Sequence, residues 1–328
     1  MHIWRDEDAD LRVLDGRTVA IIGYGTQGRA QALNLRDSGV RVVIGARREG
    51  PSWQRAVDDG FAPVLAAEAA AAAEVITLLV QDHRMGDAFA DIAPAVIPGK
   101  ALVFAHGFAI RFGVITPPAG VDVILVAPAG PGKQLRDLYA AGQGMVAMLG
   151  IAQDASDGAH ALGLAYAKAL GCTRAGVFAT TFAEETECDL FGEQVVLCGG
   201  MWALVRGAFE TLLEAGYPAH AAFFEVFYQV SLLAQLLQQY GPAGMRARIS
   251  DTAEYGMLTR GPRIIDDRVR ATMRQMLDEV RSGAFAQEWL ADAASGLPRL
   301  RALREQDTGD RLNEVFAEMQ RRVAWTGG

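Results

Sequence analysis

Three glycines stand in the run Val19-Ala20-Ile21-Ile22-Gly23-Tyr24-Gly25-Thr26-Gln27-Gly28, directly behind an apolar stretch. Gly-x-Gly-x-x-Gly between a strand and a helix is a device for holding a dinucleotide. The first glycine makes a tight turn, the second lets backbone approach the pyrophosphate, and the third lets helix pack close to strand. The anion then faces unpaired N–H groups and the positive end of the helix dipole. An ordinary strand–turn–helix corner could show the same letters. The helical run Ala30-Gln31-Ala32-Leu33-Asn34-Leu35 behind it favours the dinucleotide, with Gly23, Tyr24, Gly25, Thr26, Gln27 and Gly28 as the contact residues.

Charge argues which nucleotide. NAD enzymes carry an acid for the ribose 2′-hydroxyl about twenty residues past the glycines, at the end of the second strand. Here the strand Arg41-Val42-Val43-Ile44-Gly45-Ala46 runs into Arg47-Arg48. An acid would repel a 2′-phosphate, whereas guanidinium groups bind one in bidentate fashion. Ser52 adds a hydroxyl. The alternative is a solvated arginine pair on a loop; NADPH is the expected cofactor.

A second kind of chemistry is carried by acids. Asp189 and Glu193 are four apart and project from one helix face, among Leu190, Phe191, Val195, Val196 and Leu197. Partly buried, such a pair suits a hard cation such as Mg²⁺. With Glu184, Glu185 and Glu187 just upstream, an exposed acidic first turn is an equal alternative. Glu225 lies in Ala222-Phe223-Phe224-Glu225-Val226-Phe227-Tyr228, a setting too apolar to hold an acid without a partner.

These residues need positioning elements. The first half alternates short apolar runs with helical patterns, which predicts a parallel doubly wound sheet of the Rossmann type. Its strands are expected at Val19–Gly23, Val42–Gly45, Val75–Leu79, Ala101–Ala105 and Val121–Val126. Ligands bind at strand C-termini in such sheets, and two of these ends are chemically loaded: His106-Gly107-Phe108, and Ala127-Pro128-Ala129-Gly130-Pro131-Gly132. From Thr181 strand signals vanish. Helices are expected at Glu184–Leu197, Trp202–Ala215, Ala221–Gln239 and Asp267–Ser282, so an α/β domain over 1–180 precedes an all-α domain over 181–328.

Composition bounds the rest. At 328 residues, 51% of them hydrophobic, and a net charge of −8, the chain is expected to be a soluble protein of two domains. The charge and the lack of a basic stripe argue against a nucleic-acid partner. No uninterrupted apolar run reads as a membrane span, and the acidic start lacks a signal-peptide core. Cys172, Cys188 and Cys198 show no CxxC spacing, which points to free thiols in a reducing cytoplasm. Lysine occurs only as Lys100, Lys133 and Lys168.

Together these stretches resemble ketol-acid reductoisomerase, in its short bacterial form, over nearly the whole chain. The residues that carry the resemblance are Ile22 to Gly28, Phe104-Ala105-His106-Gly107-Phe108, Asp189-Leu190-Phe191-Gly192-Glu193-Gln194, Thr252-Ala253-Glu254-Tyr255-Gly256 and Gly261-Pro262-Arg263-Ile264-Ile265-Asp266. The resemblance implies an NADP-binding sheet domain and a knotted helical domain, in homodimers or larger homo-oligomers. It implies a Mg²⁺-dependent alkyl shift in 2-acetolactate or its homologue, then hydride transfer to the new 2-oxo group. By position, Asp189 and Glu193 match the first pair of metal ligands, and Glu193 counts with the catalytic residues. Glu225 matches one of a second pair, contributed across the subunit interface. Ser250 matches a substrate-carboxylate contact, His106 the active-site histidine, and Gly132 a cofactor contact.

Departures from the family pattern are as informative. Ala129 stands where the family's loop has lysine, Gln229 where it has a second-pair glutamate, Ala109 where it has asparagine, and Asp251 where asparagine follows the serine. Three of four metal carboxylates remain, so the second Mg²⁺ site should weaken. Alanine takes no part in proton transfer; Lys133 is the lysine next along the loop. The hydride side is intact. The expectation is therefore a divergent NADPH-dependent reductase acting on a small molecule with an activated C=O or C=N group. Alternatives are an authentic ketol-acid reductoisomerase of branched-chain amino-acid synthesis, a cofactor-binding pseudoenzyme, and non-redox chemistry on a dinucleotide-like ligand.

Overall fold

A computed structural model describes residues 2–308 and 310–323. The chain divides into two compact units, Met1–Cys188 and Asp189–Gly328.

The first unit is built on an eight-stranded sheet: β1 (Ile3–Trp4), β2 (Thr18–Ile22), β3 (Arg41–Gly45), β4 (Val75–Leu78), β5 (Ala101–Phe104), β6 (Asp122–Pro128), β7 (Ala147–Gln153) and β8 (Val177–Ala179). Their order is β1-β8-β7-β6-β5-β4-β2-β3. The five expected strands pair in parallel from β3 to β6. They are near-continuous apolar runs, and β2, β4 and β5 are buried throughout, as strands covered by helices on both faces must be.

Beyond the expected parallel strands the sheet is mixed. β7 runs antiparallel to β6, with an irregularity at Val123/Ile124, β8 is parallel to β7, and β1 closes the edge antiparallel to β8. These three strands escape a reading of periodicity for physical reasons. β7 (Ala-Met-Leu-Gly-Ile-Ala-Gln) is poor in β-branched residues, and its Gly150 is closely packed by the chain beside it. A Cβ there would lie 3.1 Å from the Thr180 carbonyl oxygen. β1 and β8 are too short to show a period.

Seven helices accompany the sheet: α1 (Thr26–Asp37), α2 (Pro51–Asp58), α3 (Ala66–Ala71), α4 (Met85–Ile92), α5 (Phe108–Arg111), α6 (Gly132–Ala140) and α7 (Ala159–Ala169). Two apolar clusters result. One gathers Val19, Ile21 and Val103 with Leu35 and Tyr166, the other Ile22, Leu78 and Phe104 with Ile92 and Phe182. Alternate residues of one strand thus feed opposite layers. The order places a switch point between β2 and β4, where connections leave in opposite directions and ligands bind.

The chain continues into α8 (Phe182–Gly192), opened by a reciprocal cap. The Glu184 N–H donates to Thr181 Oγ1, and the Thr181 N–H to Glu184 Oε2, both at 3.0 Å. Among the described residues every element of the second unit is helical: α9 (Gly199–Glu214), α10 (Ala219–Phe223), α11 (Gln229–Arg246), α12 (Asp251–Ile264), α13 (Asp267–Ser282), α14 (Ala284–Ala294), α15 (Pro298–Thr308) and α16 (Arg311–Arg322). Turns of π-helix, Glu193–Leu197 and Phe224–Tyr228, join α8 to α9 and α10 to α11. The core of this unit packs Val205 and Phe209 of α9 and Phe223 of α10 against Leu312, Val315 and Met319 of α16.

The two joined helices, Phe182–Glu214 and Ala219–Arg246, are long and apolar enough by composition to cross a membrane, with mean hydropathy of 1.3 and 1.2 over their most apolar windows. Both carry acids in their N-terminal halves, Asp189 and Glu193 on one and Glu225 on the other.

Candidate active site

At the switch point each glycine of the fingerprint meets a different need. Gly23 has φ +98°, and a Cβ there would fall 2.7 Å from the Leu79 carbonyl oxygen in the loop after β4. A Cβ on Gly28 would fall 2.0 Å from the Gly23 carbonyl oxygen, so α1 can lie on the turn only without one. Gly25 differs, because a Cβ there meets nothing within 4 Å. Its missing side chain is explained by nothing in the protein and suits a ligand approaching the backbone. The donor set fits a dinucleotide: open backbone at the start of a twelve-residue helix.

The loop after β6 forms the other wall. A Cβ on Gly132 would meet the Thr26 carbonyl oxygen at 2.3 Å and the Gln27 nitrogen at 2.9 Å. Gln27 Nε2 donates to the Gly130 carbonyl at 2.9 Å. Gln27 therefore ties one phosphate-side loop to the other. Arg47 and Arg48 are exposed on the turn after β3, and neither has an ion pair among the described residues. Ser52 lies in the first turn of α2.

That helix is anchored to the glycine turn by a network no sequence pattern announced. Tyr24 Oη donates to Asp59 Oδ2 at 2.9 Å, and Arg29 holds both Asp59 oxygens at 2.7 Å. Arg36 Nη1 donates to the Asp59 carbonyl, and Arg55 Nη1 to the Tyr24 carbonyl at 3.3 Å. Hydrogen bonding to Arg29 keeps the Asp59 carboxyl below its usual range, while burial first and Asp59 second push the Tyr24 phenol up.

His106 follows β5, as expected, and its orienting partner is Glu185, one of the acids set aside as a possible solvated turn. His106 Nδ1 lies 3.0 Å from Glu185 Oε1, and the Gly107 N–H donates to Glu185 Oε2 at 2.8 Å. The Glu185 side chain is 4% exposed. A carboxylate that accepts both bonds puts the imidazole proton on Nδ1 and fixes the ring. Gly107 is glycine because a Cβ would lie 2.3 Å from Thr186 Oγ1. Arg111 pairs with Glu187 at 2.9 Å. The signal that could have found Glu185 is spacing: Glu185, Asp189 and Glu193 fall at intervals of four along one helix face. Glu185 and Asp189 bring ligand atoms within 4.8 Å of each other.

Asp189 and Glu193 are exposed, and their carboxylate oxygens are of the type that a hard cation takes. Glu225 is exposed beside Val230, Leu233 and Leu237, and it accepts a hydrogen bond from Gln229 Nε2 at 2.7 Å. Winding as a π-turn carries it to the surface while Phe223 takes the core position. Ser250 caps α12 by accepting from the Ala253 N–H at 3.2 Å, and Asp251 occupies the first helical position. Ala129 is exposed at the end of β6, Ala109 is buried, and Lys133 is engaged with Asp137 at 2.8 Å on an exposed face of α6.

Family comparison decides what the two units are. The model described as acetohydroxy acid isomeroreductase, NADPH-binding domain, matches residues 13–176, and that of ketol-acid reductoisomerase, C-terminal domain, matches residues 182–325. This chain belongs to the ketol-acid reductoisomerase family. It is an oxidoreductase with a nicotinamide-binding domain. It is similar to the solved structure of an NADH-preferring ketol-acid reductoisomerase from an uncultured archaean. The two are 42% identical over 99% of this chain and 100% of that one, with a TM-score of 0.96. More distant likenesses show the fold alone. The semialdehyde dehydrogenase NAD-binding protein of Cupriavidus necator is 20% identical (81% of this chain, 98% of that, TM-score 0.64). The pyrroline-5-carboxylate reductase of Coxiella burnetii is 12% identical (84% and 99%, TM-score 0.55).

Proposed function

We propose that this reductoisomerase-family protein is an NADPH-dependent, Mg²⁺-assisted reductase of a small molecule with an activated C=O or C=N group, and that its alkyl-migration step is impaired. The observation that carries this reading is the 2.7 Å bond from the Gln229 amide to the Glu225 carboxylate. Where the resemblance implies two carboxylates for a second ion, an amide donor engages the one that remains. Mg²⁺ favours charged oxygen, so this pair holds an ion weakly, whereas Asp189 and Glu193 fit a first ion.

Bound nicotinamide supplies the hydride and a divalent ion supplies Lewis-acid polarisation. The chain supplies the rest. Gly25 and Gly132 admit and wall the dinucleotide, and Arg47, Arg48 and Ser52 offer cations and a hydroxyl to a 2′-phosphate. His106, fixed by Glu185, holds a proton at a defined ring position. Ala129 supplies none, and Lys133 is paired with Asp137. The NADH preference of the 42% identical archaeal enzyme makes cofactor choice a direct test.

Identity of 42% over the full length of a ketol-acid reductoisomerase favours a second reading, authentic isomeroreduction of 2-acetolactate. The experiment is NADPH consumption with 2-acetolactate and, separately, with small 2-oxo acids and imines. Little turnover of the first, direct reduction in the second group, and a non-additive gain in isomeroreduction from Ala129→Lys with Gln229→Glu support the proposal. Efficient conversion of 2-acetolactate by the unaltered protein replaces it with the second reading.

We further propose a homodimer or larger homo-oligomer. Val196, Leu197, Met201 and Leu204 are each about half exposed or more along one helical stretch, an apolar surface that suits burial against a second copy.

A further inference from the structure

Two turns of π-helix occur among the described residues, and both fall on acids proposed above as metal ligands. Glu193 opens the first and Glu225 stands second in the other. In the first, the Cys198 N–H donates to the Glu193 carbonyl at 2.9 Å, where α-winding would use Leu197. Such turns collect at functional sites, and here the reason can be traced.

A helical side chain leans toward the N-terminus, so residue i+4 lies back over residue i. Continued α-winding would extend the line Glu185, Asp189, Glu193 to Leu197 and lay that leucine against the Glu193 side chain. The extra residue in the π-turn swings Leu197 off the line, and Leu197 is 59% exposed. The wide turn brings two carbonyls onto the following helix. A Cβ on Gly200 would lie 1.8 Å from the Val195 oxygen, and one on Gly199 would lie 2.2 Å from the Gln194 oxygen. Gly207, on the same helix α9, would meet nothing within 4 Å.

We infer that Gly199 and Gly200 are positioning residues for Glu193: they permit the π-turn that keeps Leu197 from lying over a side chain proposed to bind a divalent cation. This rests on the reading of Asp189 and Glu193 as metal ligands. The test measures Mn²⁺ affinity by the loss of the free-ion paramagnetic signal, with NADPH affinity and Tm alongside. Gly200→Ala is expected to weaken Mn²⁺ about tenfold or more, with NADPH binding unchanged, while Gly207→Ala changes neither. Adding Leu197→Ala to Gly200→Ala restores Mn²⁺ affinity, which a merely structural glycine would not allow. Parental Mn²⁺ affinity in Gly200→Ala, or a double variant no better than the single, overturns the inference. Should Gly200→Ala not fold, Gly199→Ala takes its place, and failure of both to fold assigns the pair to the fold alone and overturns it too. Glu193→Gln separates the two readings. If it leaves Mn²⁺ binding intact, the ligand assignment fails; if it abolishes binding while Gly200→Ala does not, only the positioning inference fails.

Discussion

Gly132 lies so close to Thr26 that a Cβ would stand 2.3 Å from the Thr26 carbonyl oxygen. The loop after β6 is thereby seated on the turn that opens α1, and the two loops that face a dinucleotide behave as one wall. Gly25 is open on the same turn, so the two glycines should fail differently. Gly25→Ala should keep the parental Tm and lose NADPH affinity, since its methyl group meets only the ligand. Gly132→Ala should lower both. Fluorescence titration beside thermal unfolding checks this, and unchanged NADPH binding in Gly25→Ala would remove it from the cradle.

The bond between His106 and Glu185 predicts a selective kinetic defect. Glu185→Gln keeps an acceptor for the Gly107 N–H but removes the charge that holds the imidazole, so the protein should fold and bind NADPH. Its turnover should fall about a hundredfold, the scale of a displaced acid–base group, and the pH profile should move. An unchanged kcat on the substrate identified for the parent would reduce Glu185 to a structural role.

Arg47 and Arg48 set the expected cofactor preference. Charge-assisted hydrogen bonds contribute about 1.5–3 kcal/mol each. Replacing both residues with Asp should weaken NADPH selectively and leave NADH binding nearly as it was. Tighter binding of NADH than of NADPH by the unaltered protein sinks the assignment and aligns this chain with its archaeal relative.

Asp59 predicts a pH dependence. Arg29 holds its carboxyl below the unfolded value of 3.8, so the folded state binds its proton less readily than the unfolded one. The stabilisation is fully present above that value and is lost as pH falls through the lower, folded value. Arg29 is half exposed, so the effect is modest. Asp59→Asn should lower Tm at neutral pH and narrow the gap to the parent in acid. A gap that stays constant down to the acid limit contradicts the sign.

Much of this molecule could be read along the chain. Parallel strands covered on both faces are runs of apolar residues, and the glycines of the cofactor turn are required by local geometry, so β2 to β6 and the fingerprint are visible without a structure. β7 is not, because its Gly150 answers to Thr180, thirty residues away, and carries no periodic signal. Likewise Thr181 and Glu184 announce the start of α8 through a local cap, whereas Glu185, beside them, looks like any acid of a first turn.

Residue identity at separate positions was thus determined by the sequence alone: the dinucleotide fingerprint, the arginine pair, the acids at intervals of four, and the departures at Ala129 and Gln229. Tertiary structure decided which of these act together. It buried Glu185 under His106, joined the Gly130–Gly132 loop to Gln27, tied α2 to Tyr24 through Asp59, and turned Glu225 outward onto Gln229. The physical reason is range. Hydrogen-bonded turns, caps and helical periodicity act over a few residues and leave a mark in composition, whereas the partner of a buried carboxylate is chosen by packing between elements nearly eighty residues apart.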